Sequence, residues 1–245
     1  MPPIDICLVA GRRPELLERT LKSFQASMFD RFEIANFYAN IDPIFGDTDD
    51  EAATVAVIRS FFPDAHIHTP EQPGFCKAVK YLWQQAQSEI LFHLEDDWLL
   101  DEQLDPTEVF RIFSDKDVAQ LSLNHYHKHW NFRYGHFHRR WDRRTILGIR
   151  FKVGKPFPLF ATSPSFLKTD FARTAASLMD DRYDPEKQFY DGINPAMEDF
   201  VRPYKNYMLG AKKRFLITDI GREWRDERKL TKTYVDGVSN WEKEG

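Results

Sequence analysis

The chain reads as an α/β fold built on a mostly parallel central sheet, and three observations predict it. Strand-like apolar runs alternate with helical patterns from residue 4 to residue 98, as βαβ units do. The runs are continuous rather than alternating, which suits strands covered on both faces. The fourth run, within Glu-Ile-Leu-Phe-His-Leu-Glu-Asp-Asp-Trp at 89–98, ends in three consecutive carboxylates, Glu95, Asp96 and Asp97. The carboxyl edge of an open α/β sheet is where ligands bind.

The bulk composition is compatible with that class. Of 245 residues, 42% are hydrophobic and 15% aromatic, enough for a packed core and too many for disorder. A net charge of −4 makes no overall demand for nucleic acid or an anionic membrane. Cys7 and Cys76 fall in apolar patterns, so free buried thiols are expected. No charged segment followed by a long apolar one opens the chain. No run reaches the roughly 20 apolar residues a spanning helix needs. A cytoplasmic protein without a transmembrane segment is therefore expected.

Each element has its own warrant. Ile4–Ala10 is an apolar run, broken by Gly11-Arg12-Arg13-Pro14. Pro14 suits a first helical turn. Leu16, Leu17, Leu21 and Phe24 then recur at helical spacing, giving a helix over 15–25. Phe32–Asn40 is the second strand, followed by an acidic turn-rich loop through Asp42 to Asp50 and a helix over 51–62. His66–His68 is a short third strand. Gln72-Pro73-Gly74 opens a helix that buries Phe75, Ala78, Val79, Leu82 and Ala86, and the fourth strand runs into the acids.

Beyond residue 98 the alternation weakens. Asp105-Pro106 caps and begins a helix through Phe113, and Val118–Leu123 is a strand. Residues 125–150 are basic, aromatic and histidine-rich without clear period. Leu159–Thr162 reads as a short strand and Ser165–Ala176 as partly helical. Asn194-Pro195 starts a helix with Met197, Phe200, Tyr204, Tyr207 and Met208 on its apolar face. Arg214–Thr218 is a late strand, and the last fifteen residues form a polar tail.

Four groups sit where loops leave the sheet: the Arg12-Arg13 turn, Asp42, the Glu95–Asp97 triplet, and Glu198-Asp199 in the first turn of the late helix. Crowded carboxylates cost free energy unless a cation offsets them. A hard divalent ion shared with a pyrophosphate fits such a cluster; read alone, the triplet fits a solvated turn as well. Arg12 or Arg13 can pair with phosphate or stack on a base, or form a solvated face. Acids in a first turn also occur for helix stability alone.

Taken together, these motifs resemble glycosyltransferases of the GT-A fold, close in pattern to the family 2 transferases. The resemblance rests on the opening strand and helix through Phe24, on Gly74–Ala86 leading into Glu95-Asp96-Asp97 as an Asp-x-Asp variant, and on the small-residue segment Ala161–Phe166. It rests also on Met197–Phe200 and on Ile220–Arg225. The usual second-strand Asp-x-Ser is absent, and residues 125–150 match no part of the pattern. The resemblance implies a three-layer α/β/α sandwich forming one domain over 1–245. Within it, 1–98 would be the nucleotide-binding half, 99–230 the acceptor half and 231–245 the tail.

It also implies a metal-dependent, inverting transfer of a sugar from a nucleotide-sugar donor, by default a UDP-sugar, to a hydroxyl. Asp97 would be the direct ligand of Mn²⁺ or Mg²⁺, with Glu95 beside it contacting metal-bound water or ribose. Ala10, Arg12, Arg13, Asp42, Lys77, Asp96, Ser163, Arg222 and Trp224 would contact the donor. Asp199 would be the general base, with Glu198 the fallback. The His125–Trp130 stretch and Arg139–Arg144 would form a surface for the acceptor, a glycan, a lipid-linked phosphate or another anion, nucleic acid included. A zinc site there lacks cysteine ligands. Two other readings stand beside this one. A nucleotidyltransferase would want more glycine after the first strand, and a non-catalytic sugar- or nucleotide-binding module would lack a base.

Overall fold

The computed structural model describes residues 1–126, 136–146, 149–190, 192–210, 214–235 and 238–243. Strand β1 (Ile4–Ala10) is followed by α1 (Pro14–Phe24), β2 (Ile34–Ile41), α2 (Thr48–Phe61), β3 (His66–His68), α3 (Phe75–Gln85) and β4 (Ile90–Glu95). These pair in parallel, β1 lying between β2 and β4 and β2 carrying β3. The expected alternation is present through the acid triplet. Helix α2 starts earlier than its apolar pattern, because Asp47 and Asp50 form a reciprocal capping box.

The chain then leaves simple alternation. β5 (Trp98–Leu100) follows the acids at once, and α4 (Pro106–Phe113), capped by Asp105, leads to β6 (Val118–Leu123). β7 (Arg139–Ile146) pairs antiparallel with β8 (Ile149–Pro158) where no period is legible in the sequence. The strand expected at Leu159–Thr162 is instead β9 (Ser165–Lys168), and α5 (Thr169–Leu178) follows it. β9 runs antiparallel between β4 and β6. That position buries Phe166 on one face of the sheet and Leu167 on the other, and no such double cover is offered to 159–162.

Helix α6 (Pro195–Val201) is shorter than its apolar pattern. Pro203 stops it, since proline has no N–H to continue the helical hydrogen-bond ladder. Tyr207 and Met208 therefore belong not to a helix face but to β10 (Lys205–Leu209), parallel to β6. β11 (Ile217–Asp219) pairs antiparallel with β5, and α7 (Gly221–Glu227) follows. Much of the expected polar tail lies in an antiparallel hairpin, β12 (Leu230–Val235) with β13 (Val238–Lys243).

The central sheet has seven strands in the order β10-β6-β9-β4-β1-β2-β3, parallel except for β9. Its two faces explain the continuous apolar runs. Ile4, Ile6 and Leu8 pack under α1, α2 and α4, while Cys7 and Val9 pack under α3, α5 and α6. Side chains such as Leu8, Leu21 and Trp83 are fully buried, each worth about 1.5–3 kcal/mol or more of burial. Among the described residues no helix is long and apolar enough to cross a membrane.

Candidate functional site

The carboxyl ends of β1, β2 and β4 point to one edge, and the antiparallel β9 brings its amino end there too. A cleft of about 1160 Å³ opens along this edge. Ala10 ends β1 and Asp42 follows β2; with Arg13, Glu95, Asp96, Asp97, Ser163 and Arg222 they line it. Sequence reasoning thus brings eight of its site residues to one cavity. Arg12, Lys77, Trp224, Glu198 and Asp199 do not line it.

The acid triplet divides its tasks. Asp96 turns inward and is 2% exposed. Its Oδ2 accepts from Gly11 N at 2.9 Å and Arg13 Nε at 3.1 Å, and its Oδ1 accepts from Arg13 Nη2. Thr20 of α1 donates to the Asp96 carbonyl at 2.9 Å, fixing the turn from the helix side. Asp96 thus anchors the turn while still lining the cleft. Burial pushes the Asp96 carboxyl up, and the charge of Arg13 opposes that. Burial alone would lower the Arg13 guanidinium, but Asp96 and Asp97 more than reverse it, so Arg13 stays cationic.

Arg13 is thus paired with the acids at the edge of the cleft that it lines. Its guanidinium lies 5.1 Å from the Phe45 ring and 5.0 Å from the Trp224 ring. Phe45 holds a left-handed backbone, φ 68°, an uncommon state for a bulky residue and a costly one. Trp224 acts from behind the cleft wall, through Arg13 and Phe45. Arg12 is paired instead with Glu51 of α2 at 2.7 Å.

Glu95 and Asp97 face the cavity. Glu95 Oε2 accepts from Trp98 Nε1 at 3.0 Å. Asp97 Oδ2 lies 3.4 Å from Arg13 Nη2 and 3.6 Å from Arg225 Nη1. The β5–β11 pairing delivers α7 onto this tip, where Ile220 N donates to the Asp97 carbonyl at 2.9 Å. Only glycine fits at 221: an added Cβ would stand 2.0 Å from Asp97 Oδ2. Asp219 joins the group, 3.7 Å from Arg225 Nη2.

The donor set suits a shared hard cation. Two carboxylates, Glu95 and Asp97, line the open cleft, and Mg²⁺-type sites use one or two carboxylates together with substrate phosphates. Among the described residues no group of three or more His, Cys, Asp or Glu could hold a metal ion, so a cation here would need substrate oxygens beside the two carboxylates.

Asp42 Oδ1 accepts from Asn40 Nδ2 at 2.8 Å and Oδ2 from Gly74 N at 3.1 Å. Burial raises its carboxyl above the ordinary range. Across the cleft, Ser163 is buried, and its Oγ has no hydrogen-bond partner among the described residues. An unsatisfied buried hydroxyl on a cavity floor is suited to a polar ligand. Under the floor, His93 of β4 accepts from Trp83 Nε1 at 3.2 Å, and burial pushes its ring down to about 3.

Glu198 and Asp199, expected at the base position, do not line the cleft. Asn194 caps α6 through Met197 N, as the sequence indicates. Met197 and Val201, four residues apart, face the core, so Asp199 between them points outward. Its side chain is 81% exposed and lies 3.6 Å from Arg202. Glu198 Oε1 accepts from Gly192 N. Beyond Ser163 the cleft is lined by Asp181, Asp184 and Glu186, in a loop with no sequence signal beyond its polarity, and by Asp219 and Asp226. Asp219 and Arg225 were also unforeseen as site residues, although a strand-end acid before Gly221 repeats the pattern of the triplet.

Of the basic and aromatic stretch, residues 127–130 lie outside the described residues, as do the side chains of Asp142 and Arg143. His125 lines the cleft with its ring 5.0 Å from Trp98, and Arg140 and His138 line it too.

No protein-family model and no curated protein matches the sequence. Solved structures do match the fold. One is a mannosyltransferase, PcManGT from Pyrobaculum calidifontis in complex with GDP-Man and Mn²⁺: 12% identity, TM-score 0.53, covering 93% of this chain and 61% of that one. Another is GalNAc-T7 with UDP, GalNAc and Mn²⁺: 14% identity, TM-score 0.54, covering 84% of this chain and 42% of that one. A third is S. aureus TarS 1–349: 12% identity, TM-score 0.51, covering 90% of this chain and 61% of that one. The chain therefore spans 42–61% of the length of these structures. The shared architecture is the GT-A fold that the sequence resemblance implies.

Proposed function

We propose that the chain is a glycosyltransferase moving a sugar from a nucleotide-sugar donor to an acceptor hydroxyl, with inversion. The observation that carries this reading is the convergence of Glu95, Asp97, Asp42 and Ser163 on one cleft at the carboxyl edge of a GT-A sheet. The similar structures that hold GDP-Man or UDP together with Mn²⁺ support the same donor class.

The residues take roles by position. Asp42 and Ala10 flank the pocket where the base and ribose would lie, and the buried Asp42 carboxyl accepts N–H donors there. Asp97, with Glu95, would hold a Mn²⁺ or Mg²⁺ ion. Such an ion neutralises charge on a departing diphosphate when bound. Arg222 and Arg225 line the same end and add fixed positive charge. Ser163 offers its hydroxyl to the donor sugar. Arg140 and Lys187 line the cleft and suit an anionic acceptor. Asp199 lies off the cleft lining and is not the base in this scheme.

The test is a panel of UDP-, GDP- and dTDP-sugars incubated with the protein and Mn²⁺, with free nucleoside diphosphate as the readout. We expect slow hydrolysis of one donor class, abolished by EDTA and restored by Mn²⁺. Turnover of a nucleoside triphosphate with a sugar phosphate, and not of any nucleotide sugar, would replace this reading with a nucleotidyltransferase.

A further inference from the structure

With Asp199 turned outward, the acceptor proton needs another destination. We propose that Glu186 is the general base of the transfer; the inference rests on the transferase reading above.

Three observations converge on Glu186. The first is its place. Ser165 pairs with His93, two residues before Glu95, so the floor segment 162–163 reaches the level of the acid triplet. Glu186 is fastened to that segment: its Oε2 accepts from Thr162 N at 3.3 Å. The carboxylate is therefore held at the sugar floor of the same cleft that the acid triplet lines. Inversion requires a base on the acceptor side of the donor sugar, because the nucleophile must approach the anomeric carbon opposite the leaving group, and we place Glu186 there.

The second is its orientation. Tyr190 donates its hydroxyl to Glu186 Oε1 at 3.1 Å and itself accepts from Lys187 Nζ at 3.2 Å. Two donors hold the carboxyl group in place. A carboxylate offers about four lone-pair sites, so accepting capacity remains for an acceptor hydroxyl.

The third is the fate of the other cleft acids. Asp181 is paired with Lys80 at 2.6 Å. Asp184 is buried and caps its own loop by accepting from Glu186 N at 3.0 Å. Asp219 sits with Arg225 at the diphosphate end, and Asp226, next to Arg225 on α7, belongs to that end too.

The step balances without a further reactant. The acceptor O–H proton passes to a Glu186 oxygen as the acceptor oxygen bonds to the anomeric carbon. The bond from that carbon to the phosphate oxygen breaks, and its electron pair leaves with the nucleoside diphosphate.

The experiment uses the full chain with Mn²⁺ and water as the acceptor, following hydrolysis of the donor that the wild type turns over. Glu186→Gln keeps an oxygen for Thr162 N–H, so the loop should persist. We expect kcat to fall about 10²-fold or more, with nucleoside diphosphate affinity within twofold and the acidic limb of the pH–rate profile lost. Asp199→Asn should match the wild type. Glu186→Asp serves if the glutamine variant does not fold, and should lower kcat at unchanged affinity. Near-normal turnover in the Glu186 variant, or a loss in Asp199→Asn instead, overturns the assignment. A wild type that neither binds a nucleoside diphosphate with Mn²⁺ nor hydrolyses any donor overturns the transferase reading and the inference with it.

Discussion

The two walls of the cleft are built on different principles. One wall is the strand-end tip of β1 and β4, where nearly every charge has an internal partner. Arg13 answers Asp96, Arg225 stands over Asp97, and Thr20 and Gly11 bind the turn between them. The other wall is loop, 159–163 and 179–190, resting on β9. Its polar groups include a Ser163 hydroxyl without a partner among the described residues, and Arg182 is an exposed cation paired with its neighbour Asp180. On the proposed function, the first wall would serve as a preorganised socket for one invariant object, a metal-bound diphosphate. The second can change with substrate at little cost to the fold, as loops on rigid scaffolds do.

The sharpest way to break this comparison lies in two adjacent arginines. Arg13→Ala leaves Asp96 as a buried carboxylate without its cation, which should cost about 3–5 kcal/mol of stability. Arg12→Ala removes a partly exposed ion pair to Glu51 and should cost about 1 kcal/mol or less. Urea unfolding of both variants reads the difference directly. Equal losses would mean that the tip is not an internally balanced socket.

A smaller effect sharpens the same contrast from beneath. His93 lies dry and neutral under the fixed wall, its ring pushed from 6.5 to about 3 by burial. Its folded value is below its unfolded one, so its contribution is fully present above pH 6.5 and is lost as pH falls toward 3. Below pH 6.5 the unfolded chain takes the proton that the folded one refuses. The slope from this one group is about 1.4 kcal/mol per pH unit. His93→Gln should remove it, so unfolding free energies of variant and wild type should converge between pH 7 and pH 5 in that proportion. Parallel pH curves would take His93 out of the account.

The same division explains what was legible in the sequence. Ile4–Ala10, Pro106–Phe113 and Val118–Leu123 could be read because continuous apolar runs and Asx-Pro caps leave few alternatives. The fixed wall was legible with them, as strand ends carrying Asp42, Glu95 and Asp97. Its internal wiring was not. Nothing in Gly-Arg-Arg-Pro tells which arginine turns inward; that depends on where Asp96 lies once β1 and β4 pair. The loop wall was mostly opaque. The apolar character of Leu159 and Phe160 mimics a strand, and only the gap between β4 and β6 selects Ser165–Lys168 instead. At the late helix a signal was present but outweighed by the apolar spacing, for Pro203 ends α6 before Tyr204. Asp199 sat in the right motif, yet the burial of Met197 and Val201 decides which way it points. Glu186 became visible only once its hydrogen bond to Thr162 was known.

The most direct test of the central claim, that the strand-end acids hold a dication shared with a nucleoside diphosphate, is calorimetric. UDP, GDP and dTDP would be titrated into wild type and Asp97→Asn, each with Mn²⁺ and with EDTA. The account predicts that one diphosphate binds the wild type only with Mn²⁺ and binds Asp97→Asn about tenfold more weakly or worse. Equal affinity in the two proteins, or binding indifferent to Mn²⁺, would contradict it.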